Sequence, residues 1–141
     1  MATSRGRRAV AVERTADGRL AVTNGRGGRI PLGTGEDADF TATELLLGAI
    51  GGCTGADVNV VTSRRATPES FEVVVEAEKV RDDDGNRLDG VRVTFRVRFP
   101  DGPEGDAARA LLPDTVHRSH DRWCTVSRTV ELPTPVSTHV D

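Results

Sequence analysis

The chain has 141 residues, 29% of them charged and only 4% aromatic, with no tyrosine and a formal net charge of −3. That length fits one domain, 1–141, and the acidic balance with so few stacking rings argues against a nucleic-acid partner. No run approaches the ~18 apolar residues of a membrane span, and the arginine-containing start (Arg5, Arg7, Arg8) reads as a solvated tail rather than a leader, so the expected setting is cytoplasmic with no membrane partner.

In chain order, Ala9–Glu13 and Leu20–Thr23 read as short strands joined by a turn at Asp17-Gly18. Ile30-Pro31-Leu32 reads as a third strand beyond the glycine-rich bend Asn24–Arg29. Gly33–Asp39 reads as a polar, flexible loop. A long helix follows, from Ala42 to Arg65, opened by a capping box in which Thr41 and Glu44 satisfy each other's backbone N–H groups. Its interior carries Gly48, Gly51, Gly52 and Gly55, each costing roughly 0.5–1 kcal/mol against alanine. The smooth stripe Gly48/Gly52/Ala56 suggests that the compensation is a close helix–helix contact. With only 36% hydrophobic residues, the core is small enough that an oligomer is expected.

Phe71–Glu78 and Val91–Phe99 alternate apolar and polar residues, the mark of strands with one buried face, and Asp82–Asn86 between them is an exposed turn without the ligand spacing of a calcium loop. A second helix is expected from Glu104 to His120, kinked or split at Pro113. A last strand is expected from Trp123 to Leu132. The order points to an α+β domain with helices packed on one face of an antiparallel sheet.

Chemistry centres on the two cysteines, Cys53 and Cys124. They are too few for a disulfide framework and lack C-x-x-C spacing, and in a reducing compartment a pair is more often reactive than structural. Cys53 lies about three turns into its helix, beyond the reach of that helix's own dipole. A cation must therefore come from elsewhere, and Arg26 or Arg29 in the glycine-rich bend are the candidates, unless they only decorate a turn. Glu44 has two readings: a helix cap, or an acid that orients such an arginine. Nine positions separate Glu44 from Cys53, which puts them on nearly opposite sides of a straight helix and argues against direct contact, so any link would run through an arginine or another chain. His117, His120 and Cys124 resemble a ligand set, but no zinc spacing is present, and no metal or cofactor is expected.

The stretch Thr43-Glu44-Leu45-Leu46-Leu47-Gly48-Ala49-Ile50-Gly51-Gly52-Cys53, with Ser119-His120-Asp121-Arg122-Trp123-Cys124 some seventy residues later, resembles the OsmC/Ohr family of thiol-dependent peroxidases and their relatives. The resemblance implies an OsmC-like fold, an antiparallel sheet with a long central helix, in an intertwined homodimer. It also implies a reaction in which Cys53 attacks an organic hydroperoxide and becomes a sulfenic acid. Cys124 then resolves this to a disulfide, which a lipoyl-type dithiol reduces. Glu44 would be the third catalytic residue. The family's glutamate sits ten residues before the first cysteine; here that position is Thr43, and Glu44 comes one later, about 100° round the helix. The alternative is a redox-responsive or ligand-binding dimer with little peroxidase turnover.

Overall fold

The computed structural model describes residues 2–16 and 18–141. They form an α+β protein in two compact units, Met1–Leu46 and Leu47–Asp141, the division falling inside the first helix.

The first unit holds β1 (Ala11–Ala16), β2 (Arg19–Thr23) and β3 (Arg29–Leu32), paired antiparallel in that order. Asp17, half of the expected β1–β2 turn, lies outside the described residues. The β2–β3 turn is closed by Asn24, whose backbone N–H donates to the Gly28 carbonyl (3.1 Å) while its side-chain oxygen accepts from the Arg26 and Gly28 N–H groups. Register places Val12 opposite Val22, and Val22 opposite Ile30, so one sheet face is apolar. Val12, Leu20 and Ile30 on that face remain 54%, 43% and 45% exposed. The 33–39 segment is more organised than the flexible loop expected from sequence. Gly33 N–H donates to the Phe40 carbonyl, and the Asp37 carboxylate gathers Arg19 (2.6 Å), the Thr34 hydroxyl and the Asp39 N–H.

α1 spans Ala42–Ser63. It begins with the expected capping box: Thr41 N–H donates to Glu44 Oε1 (3.0 Å) and Glu44 N–H to Thr41 Oγ1 (3.1 Å). Its buried residues, Ile50, Gly51, Thr54, Gly55, Val58 and Thr62, recur at helical spacing. The four glycines fall on two faces. A Cβ on Gly51 would stand 2.7 Å from Val75 Cγ2, and one on Gly55 would stand 3.2 Å from Val73 Cγ2, so these two let β4 approach the helix. Gly48 and Gly52 have nothing within 4 Å of the same position, and with Ala56 they are exposed. By length and composition α1 is apolar enough to cross a membrane, which corrects the expectation that no segment comes near that limit. Its apolar character serves packing on β4 over one face, with the opposite face left uncovered.

β4 (Ser70–Asp82) and β5 (Gly85–Arg98) form one long antiparallel hairpin, extending both expected strands toward the acidic turn. As the alternation predicts, Phe71, Val73 and Val75 share a face with their partners Val97, Phe95 and Val93. Phe71 and Phe95 meet edge to face, centroids 6.4 Å apart. Opposite Ala77 the register shifts by a bulge, where Gly90 takes φ 61°. α2 runs from Pro103 to Arg118 with Pro113 inside it, so the helix is not split at the proline, one of the two outcomes (kink or split) expected there. It joins a small core of Ala66, Phe99 and Ala108, flanked by Val97 and Leu112.

The expected strand Trp123–Leu132 does not form. After α2 come five residues of π-helix, Ser119–Trp123, and then α3, Thr125–Glu131. The reason is a cap that the sequence disguises. Cys124 is the N-cap residue, and its sulfur accepts the Ser127 N–H at 3.3 Å, the role usually held by a serine or aspartate oxygen. Once that turn closes, Thr125–Val130 continues as helix despite its β-branched residues.

Candidate active site

Both cysteines belong to the second unit, and both are free thiols. Cys53 lies on the flank of α1, half-buried; Cys124 is 0% exposed at the start of α3. The fold brings them near enough that each thiol shifts the acidity of the other. At the start of α3 the Ser127 N–H, which has no partner within the helix, donates to Cys124 Sγ at 3.3 Å.

The two thiols differ in acidity. Burial pushes the Cys53 thiol above its ordinary value, and its hydrogen bond to Cys124 adds to the rise; the Val126 and Thr125 N–H groups offset only part of it. Burial acts on Cys124 in the same sense, but the hydroxyl and N–H of Ser127, the Cys53 thiol and the Val126 N–H outweigh it. Cys124 is therefore held below the ordinary thiol value. The accessible sulfur is the weaker acid, and the stronger acid is sealed from solvent.

Behind the pair lies a buried polar chain that sequence reasoning missed. Thr54 Oγ1 and Ser119 Oγ are 2.8 Å apart, and Ser119 Oγ donates to Asp57 Oδ2 at 2.8 Å. The Ser119 carbonyl accepts the Cys124 N–H at 2.8 Å. Asp57 and Ser119 are 62 positions apart in sequence, so no local pattern announces the contact. A cavity of about 230 Å³ adjoins this chain, walled by Thr54, Val93, Phe95, Val116, His120 and Ser127.

Glu44, Arg26 and Arg29 lie in the first unit. Glu44 is exposed, and its hydrogen bonds with the backbone and hydroxyl of Thr41 hold its carboxyl below the usual range. Arg26 and Arg29 are exposed on the β2–β3 turn and at the start of β3. In this unit Arg19 is an arginine that a carboxylate does orient, through Asp37. His120 pairs with Glu131 at 3.1 Å, and among the described residues no three His, Cys, Asp or Glu side chains converge as a metal-ligand set.

Residues 33–139 match the family model described as OsmC-like protein. The chain belongs to the OsmC-like family. No curated protein sequence matches it. Among solved structures it is similar to an OsmC-like protein of unknown function from Vibrio cholerae, with TM-score 0.72 and 13% identity over 90% of this chain and 95% of that one. An OsmC-like protein from Mycoplasma pneumoniae gives TM-score 0.68 and 14% identity over 89% and 88%. An organic hydroperoxide resistance protein from Elizabethkingia anophelis gives 0.60 and 13% over 91% of each chain. At such identities the likeness is one of fold, and it agrees with the α+β OsmC-like architecture expected from sequence.

Proposed function

We propose that this OsmC-like protein is a cytoplasmic thiol-dependent peroxidase that reduces organic hydroperoxides. The observation that carries the reading is a pair of neighbouring free thiols, one accessible and one sealed. Only Cys53 can meet a substrate, so Cys53 is the attacking residue. Its thiolate attacks the outer oxygen of the hydroperoxide, the O–O bond breaks, and the alkoxide leaves as an alcohol after taking a proton. Cys53 is then a sulfenic acid. The Cys124 sulfur attacks it, the S–O bond breaks, water departs and a Cys53–Cys124 disulfide remains. A dithiol of the lipoyl type restores both thiols by exchange.

Because Cys53 is held above the ordinary thiol value within its own unit, the reaction calls for a cation from another part of the assembly. Arg26 and Arg29 are candidates. Arg19 fits the role better, since Asp37 already orients its guanidinium. Glu44 enters as an acid that orients such an arginine through the carboxylate that also caps α1.

The protein acts as a homodimer in this reading. The Gly48/Gly52/Ala56 stripe and the apolar face of β1–β3 are both open surfaces of a kind that a second copy covers. The raised Cys53 favours a second reading, a redox-responsive or ligand-binding dimer with little turnover. Steady-state consumption of cumene hydroperoxide and of hydrogen peroxide, with dihydrolipoamide as reductant, separates the two. The peroxidase reading expects the organic substrate to be preferred. Turnover no faster than that of free thiols would leave the redox-responsive reading in its place.

A further inference from the structure

Ser119 stands where α2 hands over to the π-helical segment, and every polar group it has is committed. Its N–H donates to the Thr115 and Val116 carbonyls, its carbonyl accepts from Cys124, and its hydroxyl bridges Thr54 and Asp57. The Ser119 hydroxyl has one proton and donates it to Asp57, so the remaining bond must run from the Thr54 hydroxyl to Ser119. Ser119 is 0% exposed and Thr54 4% exposed, so neither hydroxyl can exchange its partner for water without opening the packing.

Thr54 is the residue after Cys53. One peptide bond and two hydrogen bonds therefore connect the two thiol residues: Cys53 to Thr54, Thr54 to Ser119, Ser119 to Cys124. Asp57, one turn beyond Thr54 on α1, fixes the rotamer of the Ser119 hydroxyl. Nothing in the thiol chemistry itself requires this bracket. Its geometric effect is to lock the π-helical segment against α1 at the height of Cys53. π-Helical turns recur at functional sites.

We propose that Thr54, Ser119 and Asp57 are positioning residues that set the placement of Cys124 relative to Cys53 and so favour a disulfide between them. The proposal deepens the peroxidase reading and rests on it only for the identity of the oxidant. Any two-electron thiol oxidant exposes the same property. With glutathione disulfide, the Cys53 thiolate attacks one sulfur and releases one glutathione thiolate, and the Cys124 sulfur then attacks the mixed disulfide and releases the second. The two electrons pass from the cysteine pair to glutathione, and each departing thiolate takes up a proton released by the pair.

The test is the thiol–disulfide equilibrium of the full chain in glutathione buffers, read as the effective concentration of one cysteine toward the other. Thr54→Val keeps shape and removes the donor, and it should lower that concentration by about tenfold or more, since misplacement of reacting groups is costly. Thr54→Ser keeps the hydroxyl and should stay within about twofold of the parent. Asp57→Ala, at a half-buried position, should give a smaller fall than Thr54→Val because Ser119 can still turn to Thr54. An unchanged equilibrium in a Thr54→Val protein with normal melting overturns the proposal, as does a Thr54→Ser protein that falls as far as Thr54→Val. If Thr54→Val does not fold, an unchanged Asp57→Ala protein overturns it. A parent protein with high effective concentration but no hydroperoxide turnover would remove the peroxidase reading and leave the bracket standing.

Discussion

Around Cys53 the chain is a long helix with one flank open, and around Cys124 it is a sealed corner where α2, a π-helical segment and α3 succeed one another within a few residues. The first region trades on access and the second on hydrogen bonding. Cys53 has room for a substrate, but burial of its sulfur works against ionisation; Cys124 has no room, but N–H and hydroxyl donors favour its thiolate. Under the proposed function this is a division of labour, with substrate capture on one sulfur and a ready second nucleophile on the other. In that proposal neither environment alone completes the cycle.

The largest expected effect comes from separating the two. Cys53→Ser should abolish hydroperoxide reduction. Cys124→Ser should consume one equivalent and stop at a Cys53 sulfenic acid that dimedone traps; serine keeps an oxygen at the N-cap, so α3 persists. The same variants sharpen the electrostatic contrast when followed by thiolate ultraviolet absorbance. Cys124 in Cys53→Ser should titrate below the ordinary thiol pKa of about 8.5, and Cys53 in Cys124→Ser above it. Equal residual turnover in the two proteins, or titration on the same side, would erase the division of labour.

A middle-sized effect separates the two glycine faces of α1. Gly51→Leu drives a side chain into Val75 and should destabilise the chain by about 1–3 kcal/mol, measured by denaturant melting. Gly52→Leu meets no atom of its own chain. It should leave the fold intact and convert a dimer into monomer by sedimentation. A Gly52→Leu protein that sediments like the parent would show that this stripe is not the interface.

Glu44 gives the smallest effect on stability. Its folded pKa is lowered, so its contribution is present above its unfolded pKa and disappears as pH falls through the folded one. Glu44→Gln should therefore flatten the loss of melting temperature on the acid side of the usual carboxylate range, while neutral-pH melting changes little. If Glu44 also orients an arginine, peroxide attack on Cys53 slows by about tenfold. Normal attack by this variant would leave Glu44 as a cap alone.

Much of the fold was legible because its determinants are local or periodic. The Thr41/Glu44 capping box marks the start of α1 within four residues, and alternation over Phe71–Ala77 and Val91–Phe99 assigns the inward faces of the hairpin. The errors sit where a side chain does something unusual or distant. Trp123–Leu132 looked like a strand because Thr125, Val126, Thr129 and Val130 favour one and because cysteine is not a familiar cap. The expectation that the two thiols work as a pair came from family resemblance rather than spacing. The Asp57–Ser119 and Arg19–Asp37 pairs had no sequence signal, since each needs a fold before its partners meet.

The four glycines of α1 also bear on how the chain acquires its structure. A helix so rich in glycine has little tendency to form alone, even with a good cap, because each glycine gives up the most backbone freedom on ordering. The β4–β5 hairpin is the opposite case, a continuous set of neighbouring pairs around a tight turn, with the Phe71–Phe95 contact in its middle. Closing that hairpin needs only short loops and therefore little entropy. The order that follows is hairpin first, with Val73 and Val75 then serving as the surface on which the Gly51–Gly55 side of the helix condenses. The groove that admits the strand so closely makes the helix a late arrival, and the thiol bracket, which needs α1 in place, is among the last contacts to form.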